Sequence, residues 1–444
     1  MSEIYQTRPQ SKASENPSNR RPDRAKFVLV QIQRAAATLA LFFLSGMAAS
    51  VCHAQARDVV CRGGVGYFEA ESPTGVKVHV GASRIGELEA RVCEAALSWG
   101  DQNLVISDAA SDVDIDAFGV DMGLGTPVAA VQLRKSKTEC CMEYNIYSLR
   151  QPPMLLRKIT GGEYFSAADT DLDGRIEIWT DDAGSVDGFE NFHLRDLDFA
   201  PPVVLRFEHG KLLDASSEFR PYYDQKIAEA RAKLDPQDLR DFKSSDGKLA
   251  KVPGIPAERL LRLRNLKVKV LEIVWSYLYS GREQEALHSL TEMWPEPDLE
   301  RIRAALWNAR SRGIHSQVDG ASTPVPRGHE VRAKIFDATT IVSATPGLTP
   351  KGAKTQVEII SPKAILMERP APETVFEQEM ADSESLLKLV IDSAGKVRSV
   401  EVVGDAHRVD DGLIRSTSGW KFIPGYNAGD PVASQIILGV SLRR

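Results

Sequence analysis

Between residues 169 and 177 the chain reads Asp169-Thr170-Asp171-Leu172-Asp173-Gly174-Arg175-Ile176-Glu177, with carboxylates at alternate positions and a glycine after the third. A hard cation such as calcium takes about six to eight oxygen ligands, and a tight turn with an acid at every second residue supplies several of them. The candidate metal ligands are therefore Asp169, Asp171, Asp173 and Glu177, and calcium is the implied cofactor. Asp181 and Asp182 add charge nearby. The metal-free alternative is a turn whose aspartates accept hydrogen bonds from their own backbone. A second acidic series, Asp112, Asp114, Asp116 and Asp121, alternates with apolar residues, which is the pattern of a strand with one wet face. Catalytic signatures are sparse. The eight histidines are scattered, no HExxH, GxSxG or GxxxxGK[ST] occurs, and Ser245-Asp246-Gly247-Lys248 matches a short SxxK pattern without its companions. No catalytic residue is assigned, and the chain reads as a non-enzyme.

The amino-terminal end bears on compartment. Arg20, Arg21, Arg24, Lys26 and Arg34 precede the apolar run Ala35 to Val51, and Ala54-Gln55-Ala56 has the small-x-small form of a cleavage site. Residues 1–56 thus read as a secretory signal that places the protein in the periplasm. The alternative is an uncleaved single anchor in the inner membrane, since a run of this length sits at the lower edge of what crosses a bilayer. Acidic residues outnumber basic ones, 61 to 55, so nothing draws the chain to nucleic acid. Cys61, Cys93, Cys140 and Cys141 follow the apolar run, and an oxidising compartment permits disulfides among them. Neighbouring cysteines rarely reach unstrained bridge geometry, so the expected bridge runs from Cys61 or Cys93 to one member of the Cys140-Cys141 pair.

The elements that must position these residues divide the chain into regions of different texture. The expected fold class is multi-domain α+β. Residues 57–220 read as mainly β, a sandwich or partial propeller, with short runs such as Val76 to Val80, Val128 to Leu133 and Ile176 to Thr180 between turn residues. Leu88 to Trp99 interrupts them with helical spacing. Residues 221–312 read as a helical bundle. There Val268 to Leu278 makes a buried helix that Gly281 ends, followed by Glu283 to Trp294 and Leu299 to Ala309. Residues 313–383 are rich in proline and read as linker with two apolar strips, Val331 to Val342 and Val357 to Leu366, that either pair as strands or lie against a neighbour. Residues 384–444 have the order β-β-α-β-β. Leu386 to Asp392 and Val397 to Val403 flank a turn at Gly395, and Val432, Ser434, Ile436, Leu438, Val440 and Leu442 share one parity of a last strand.

Ile391-Asp392 with Gly395 and Val397, the series Trp420, Phe422, Pro424, Gly429, Pro431, Val432 and the alternating last strand resemble the C-terminal domain of the TonB and TolA envelope proteins. The likeness covers about the last sixty residues. It implies a partner-binding surface at Trp420, Phe422, Ile436 and Leu438, where a protein or extended peptide of the envelope, an outer-membrane receptor among them, adds as a strand to the sheet edge. The chain lacks the long Pro-Glu/Pro-Lys rod with which a TonB protein reaches across the periplasm. The acidic loop in turn resembles the calcium loops of propeller and dockerin type. It departs from the EF-hand form in having Thr180, not Glu, twelfth from Asp169. Two functions from different classes follow: an envelope adaptor that binds protein, or a structural envelope protein with a calcium-stabilised β region and no transport role.

Overall fold

A computed structural model of the chain describes residues 59–85, 90–138, 140–197, 199–249, 256–322, 334–338, 359–367, 384–404 and 411–441. The expected signal or anchor, residues 1–56 with the run Ala35 to Val51, lies outside the described residues. Among those described, no helix is long and apolar enough to cross a membrane. The fold is mixed α+β with several sheets, and its N-terminal region is mostly β.

That region contains β1 (Cys61–Arg62), β2 (Phe68–Glu71), β3 (Lys77–Ile85), β4 (Ala90–Trp99), β5 (Gln102–Ala110), β6 (Asp112–Val120), β7 (Val128–Arg134), β8 (Met142–Ser148) and β9 (Leu155–Gly162). One sheet has the order β2-β3-β4-β5, the other β1-β6-β7-β8-β9. Val78, Val80, Ala95 and Leu97 of the first share a buried cluster with Val113, Ile115, Phe118 and Val131 of the second. The other parity of β6, β7 and β8, including Val120, Ala130, Tyr144 and Ile146, enters a second cluster. Covered on both faces, β7 is apolar from Val128 to Val131, as a doubly buried strand tends to be, whereas β6 carries Asp112, Asp114 and Asp116 among its apolar residues.

Two expectations are corrected here. Leu88 to Trp99 is not helical. Its residues from Ala90 form β4, in which Cys93, Ala95 and Leu97 are buried and the residues between them partly exposed. Ala and Leu suit a helix, but burial at every second position and ladders to β3 and β5 outweigh a propensity worth only tenths of a kilocalorie per residue. Nor do Cys61 and Cys93 reach the Cys140-Cys141 pair. Cys61 on β1 is bonded to Cys93 on β4, with Cα atoms 5.9 Å apart, because the stacked sheets bring those two residues together. Cys140 and Cys141 are joined to each other.

The third sheet follows from β10 (Phe165–Ala168), β11 (Glu177–Asp181), β12 (Pro202–Glu208), β13 (Lys211–Asp214) and β14 (Gly320–Ala321), in that order. Helices α1 (Arg220–Ala232), α2 (Pro236–Lys243), α3 (Ala257–Tyr279), α4 (Glu283–Met293) and α5 (Leu299–Arg312) pack beside it. Leu271, Val274, Leu278, Leu290 and Leu306 belong to the same buried cluster as Val203, Leu205 and Phe207 of β12. The Tyr223 hydroxyl donates to the Pro202 carbonyl at 2.9 Å, tying α1 to the start of β12. Helices and sheet therefore share one core.

The C-terminal part comprises β15 (Phe336–Asp337), β16 (Ile359–Ile360), β17 (Lys363–Leu366), β18 (Glu384–Ile391), β19 (Val397–Val403), α6 (Asp411–Ser416), β20 (Lys421–Ile423), β21 (Gly425–Asn427), β22 (Asp430–Val432) and β23 (Ser434–Ser441). The hairpin β18-β19 and the last strand share a sheet of order β15-β23-β18-β19. Both apolar strips of the proline-rich region supply strands to this part: β15 runs parallel to β23, while β16 pairs with β21 and β17 with β20. Leu387, Leu389, Ile391, Leu413, Trp420 and Phe422 form its core, flanked by Ile436, Leu438 and Val440. Gly395 has φ +85°, and a Cβ there would lie 1.8 Å from the Phe422 carbonyl oxygen. Only glycine allows this turn to close on β20.

The Cys61–Cys93 bond closes a sequence separation of 32 residues across two sheets. Replacing Cys93 with Ser should lower the unfolding free energy by about 3–4 kcal/mol, measured by denaturant unfolding without reductant. A much smaller loss would mean that the sheet pairing needs no covalent staple.

Candidate functional site

The acidic loop joins β10 to β11 and sits where the C-terminal hairpin meets the N-terminal strands. Asp169 is fully buried, and its carboxylate accepts the backbone N–H groups of Asp173 at 2.9 Å and Gly174 at 3.1 Å. Glu177 accepts the Thr170 N–H at 3.0 Å. The Asp173 carboxylate accepts the Arg175 backbone N–H at 2.9 Å and its Nε–H at 2.7 Å. Leu172 at the tip has φ +59°, a left-handed conformation that costs about 1–2 kcal/mol for a residue with a side chain. Carboxylate oxygens of Asp169, Asp171 and Asp173 lie within 4.8 Å of one another, so this triad could hold a metal ion. Glu177 stands behind the triad, with Arg206 Nη1 3.7 Å from its carboxylate.

Electrostatics follow from burial. The protonated form of Glu177 is favoured, its pKa pushed up to about 8 by desolvation, with Asp171 and Asp173 adding repulsion. Desolvation raises Asp169 as well, against the Ser393 hydroxyl bond that lowers it. Burial also acts upward on Asp173, but the Arg175 hydrogen bonds and charge win and hold it below the usual carboxylate range.

The structure brings this loop against the β18-β19 turn. The Asp169 N–H donates to Asp392 at 3.1 Å, the Ser393 hydroxyl donates to the Asp169 carboxylate at 3.0 Å, and Arg398 donates to the Thr170 carbonyl at 2.8 Å. Asp392 is itself fully buried and accepts the N–H groups of Ala394 and Lys396, both at 2.9 Å. Desolvation pushes its pKa up to about 6, opposed by the charges of Arg398 and Lys396. A cleft of about 250 Å³ opens beside this junction, lined by Asp121, Asp169 and Ile176 on one side and by Phe336, Ser393 and Pro431 on the other.

Two members of the second acidic series occupy the same seam, whereas Asp112 pairs with Arg62 and Arg134. Asp114 and Asp116 of β6 are buried, not on a wet face. Asp116 accepts the Tyr144 hydroxyl at 2.6 Å and the Ala167 N–H at 2.7 Å, and forms an ion pair with Lys396 at 2.7 Å. Asp114 accepts Gln132 Nε2 at 2.8 Å and pairs with the buried Lys421 of β20. The Tyr426 hydroxyl adds a hydrogen bond to the Gly119 carbonyl at 3.0 Å. Sequence reasoning singled out the aspartates but not their lysine partners, because nothing in local spacing marks Lys396 or Lys421 as inward-facing.

Trp420 and Phe422 are core residues under the terminal sheet, and Ile436 and Leu438 turn the same way toward that core. The outward parity of the last strand is instead carried by Ile437 and Gly439, both exposed. Cys61, Cys93, Cys140 and Cys141 lie in the two disulfides already described, apart from the loop. Compared with known proteins, the chain matches no family model, no curated protein and no solved structure.

Breaking a buried ion pair by removing one partner strands an uncompensated charge away from solvent, at a cost of about 3–5 kcal/mol. Lys421→Met should therefore destabilise the protein by that amount in denaturant unfolding. Adding Asp114→Asn should recover more than half of the loss. A neutral Lys421→Met would show that the seam contributes little to stability.

Proposed function

We propose that the protein is an adaptor of the bacterial envelope that binds an extended protein segment by strand addition at the outer edge of β23. On this reading residues 384–444 are a TonB C-terminal-like unit. The observation that carries it is the position of the last strand. β23 lies next to β18 on one side, and on the other side only Ser434 and Gln435 are paired, by β15, among the described residues. Because Ala433 and Gln435 direct their carbonyls at β15, the alternation of a strand directs the N–H and C=O groups of Ile437, Gly439 and Ser441 the same way. Such a row accepts a foreign backbone, and alternate side chains give it selectivity. Trp420, Phe422, Ile436 and Leu438 then support the edge from the core and do not touch the guest. The compartment that fits is the periplasm, with the inner membrane as the alternative if Ala35 to Val51 is retained as an anchor, and an outer-membrane receptor is a fitting guest.

The adaptor reading assigns no catalysis and gives calcium a stabilising place at Asp169, Asp171 and Asp173. Several oxygens of the triad already accept backbone or Arg175 N–H groups, so a cation would compete with Arg175 for Asp173. A second reading, a structural envelope protein, is favoured by one specific observation: the largely buried Lys396–Asp116 pair and the buried Lys421–Asp114 pair join the terminal strands to β6.

Two measurements test these proposals. Calcium at roughly a hundred times its dissociation constant should raise the melting temperature by about 3 °C, and Asp171→Asn should remove the rise; an unchanged melt with and without chelator takes the metal out of the proposal. Ile437→Pro deletes one outward N–H and leaves the core-facing parity intact. It should melt like the parent yet recover about tenfold less partner from envelope extract, the worth of about one lost hydrogen bond. Equal recovery would place the contact elsewhere, and no recovery by the parent would leave the structural reading.

A further inference from the structure

We propose that β15 is a strand donated in cis to the receiving edge, and that a partner gains the whole of that edge only by displacing it. The inference rests on the strand-addition reading and deepens it by naming what regulates the edge and what chemistry fits it. The Phe336 N–H donates to the Ala433 carbonyl and the Ala338 N–H to the Gln435 carbonyl, both at 2.9 Å, with Phe336 opposite Ser434 in parallel register. The molecule thus already holds an extended segment on the outer side of β23, at the head of the row that continues through Ile437, Gly439 and Ser441. Only two residues pair, which is a short grip for a strand.

The occupant also shows what the head of the edge selects. Phe336 enters the wall of the 250 Å³ cleft beside Pro431, Val432 and Ile176, and Lys334 lines the same cleft as Asp121 and Asp169. Lys334 Nζ stands 4.9 Å from the centre of the Phe336 ring. A competing guest is therefore an extended segment running parallel to β23, with an aromatic residue in the place of Phe336 and a basic residue two positions before it. Its basic group gains from the acidic lining, and its ring takes the apolar wall. Occupancy by β15 lowers the apparent affinity of such a guest by the fraction of time the edge is free.

The probe is a fluorescent peptide with the sequence of residues 331–342, titrated by anisotropy into the full chain and into Phe336→Pro, which lacks the donor to Ala433 and the ring. The variant should bind the peptide at least about tenfold more tightly than the parent. Ala338→Pro removes the donor to Gln435 while keeping Phe336, and should shift affinity in the same direction if the first variant unfolds. A peptide with Ala in place of the phenylalanine should lose the gain. Equal affinity of parent and both variants overturns the displaced-strand proposal and leaves edge binding standing. No binding to any form, with a probe that contains the Phe336 to Ala338 segment the edge holds in cis, overturns strand addition itself and this proposal with it.

Discussion

Two carboxylates on one central strand set the terms for the whole molecule. Asp114 and Asp116 lie buried on β6, and desolvating an uncompensated carboxylate costs several kilocalories. Part of the compensation is local, from Gln132, Tyr144 and the Ala167 N–H. The opposite charges come from Lys421 and Lys396, 307 and 280 residues further along the chain. The N-terminal β region is therefore electrostatically complete only with the C-terminal strands in place. A chain that ended before residue 384 would keep its apolar core and lose its counter-ions.

The seam also fixes one end of the terminal sheet. Ile391 of β18 faces Ser434 of β23, and Glu384 faces Ser441. The Asp392 to Lys396 turn, the acidic loop and β15 all gather at the Ile391/Ser434 end. The Glu384/Ser441 end carries the outward groups of Gly439 and Ser441. On the strand-addition proposal this order matters, since a β23 already held by its ladder to β18 would lose less ordering entropy when a guest binds.

What was legible in the sequence was local. Alternation at Ile436, Leu438 and Val440 reports a face packed on Leu387 and Leu389, and the Asp392 to Lys396 turn announces itself through Gly395, whose φ no other residue tolerates at that approach to Phe422. Gly281 and the prolines after Trp294 mark helix ends that the structure respects. Ala, Glu and Leu at the positions of β4 satisfy both a helical and a strand period over so short a window, and the decision falls to its ladders with β3 and β5. The Cys61 to Cys93 pairing depends on how two sheets stack. The burial of Asp114 and Asp116 depends on lysines far away in the chain, so alternation alone suggested water where there is protein.

The acidic loop connects these levels. Asp169 braces its own turn through the Asp173 and Gly174 N–H groups while its main chain donates to Asp392 and its carboxylate accepts from Ser393. One residue thus belongs both to the candidate cation triad and to the contact that fixes the β18-β19 turn. Any change in charge at the triad must be felt at Asp392, because the two carboxylates already repel across a buried gap and Asp169 acts to raise the Asp392 pKa. A cation on the triad would relieve that repulsion and tighten the clamped end of the sheet, whereas the row from Ile437 to Ser441 is reached only through the length of β23. Under the displaced-strand proposal, metal and guest would meet at that clamped end of the sheet, because Asp169 also lines the cleft that takes Lys334 and Phe336.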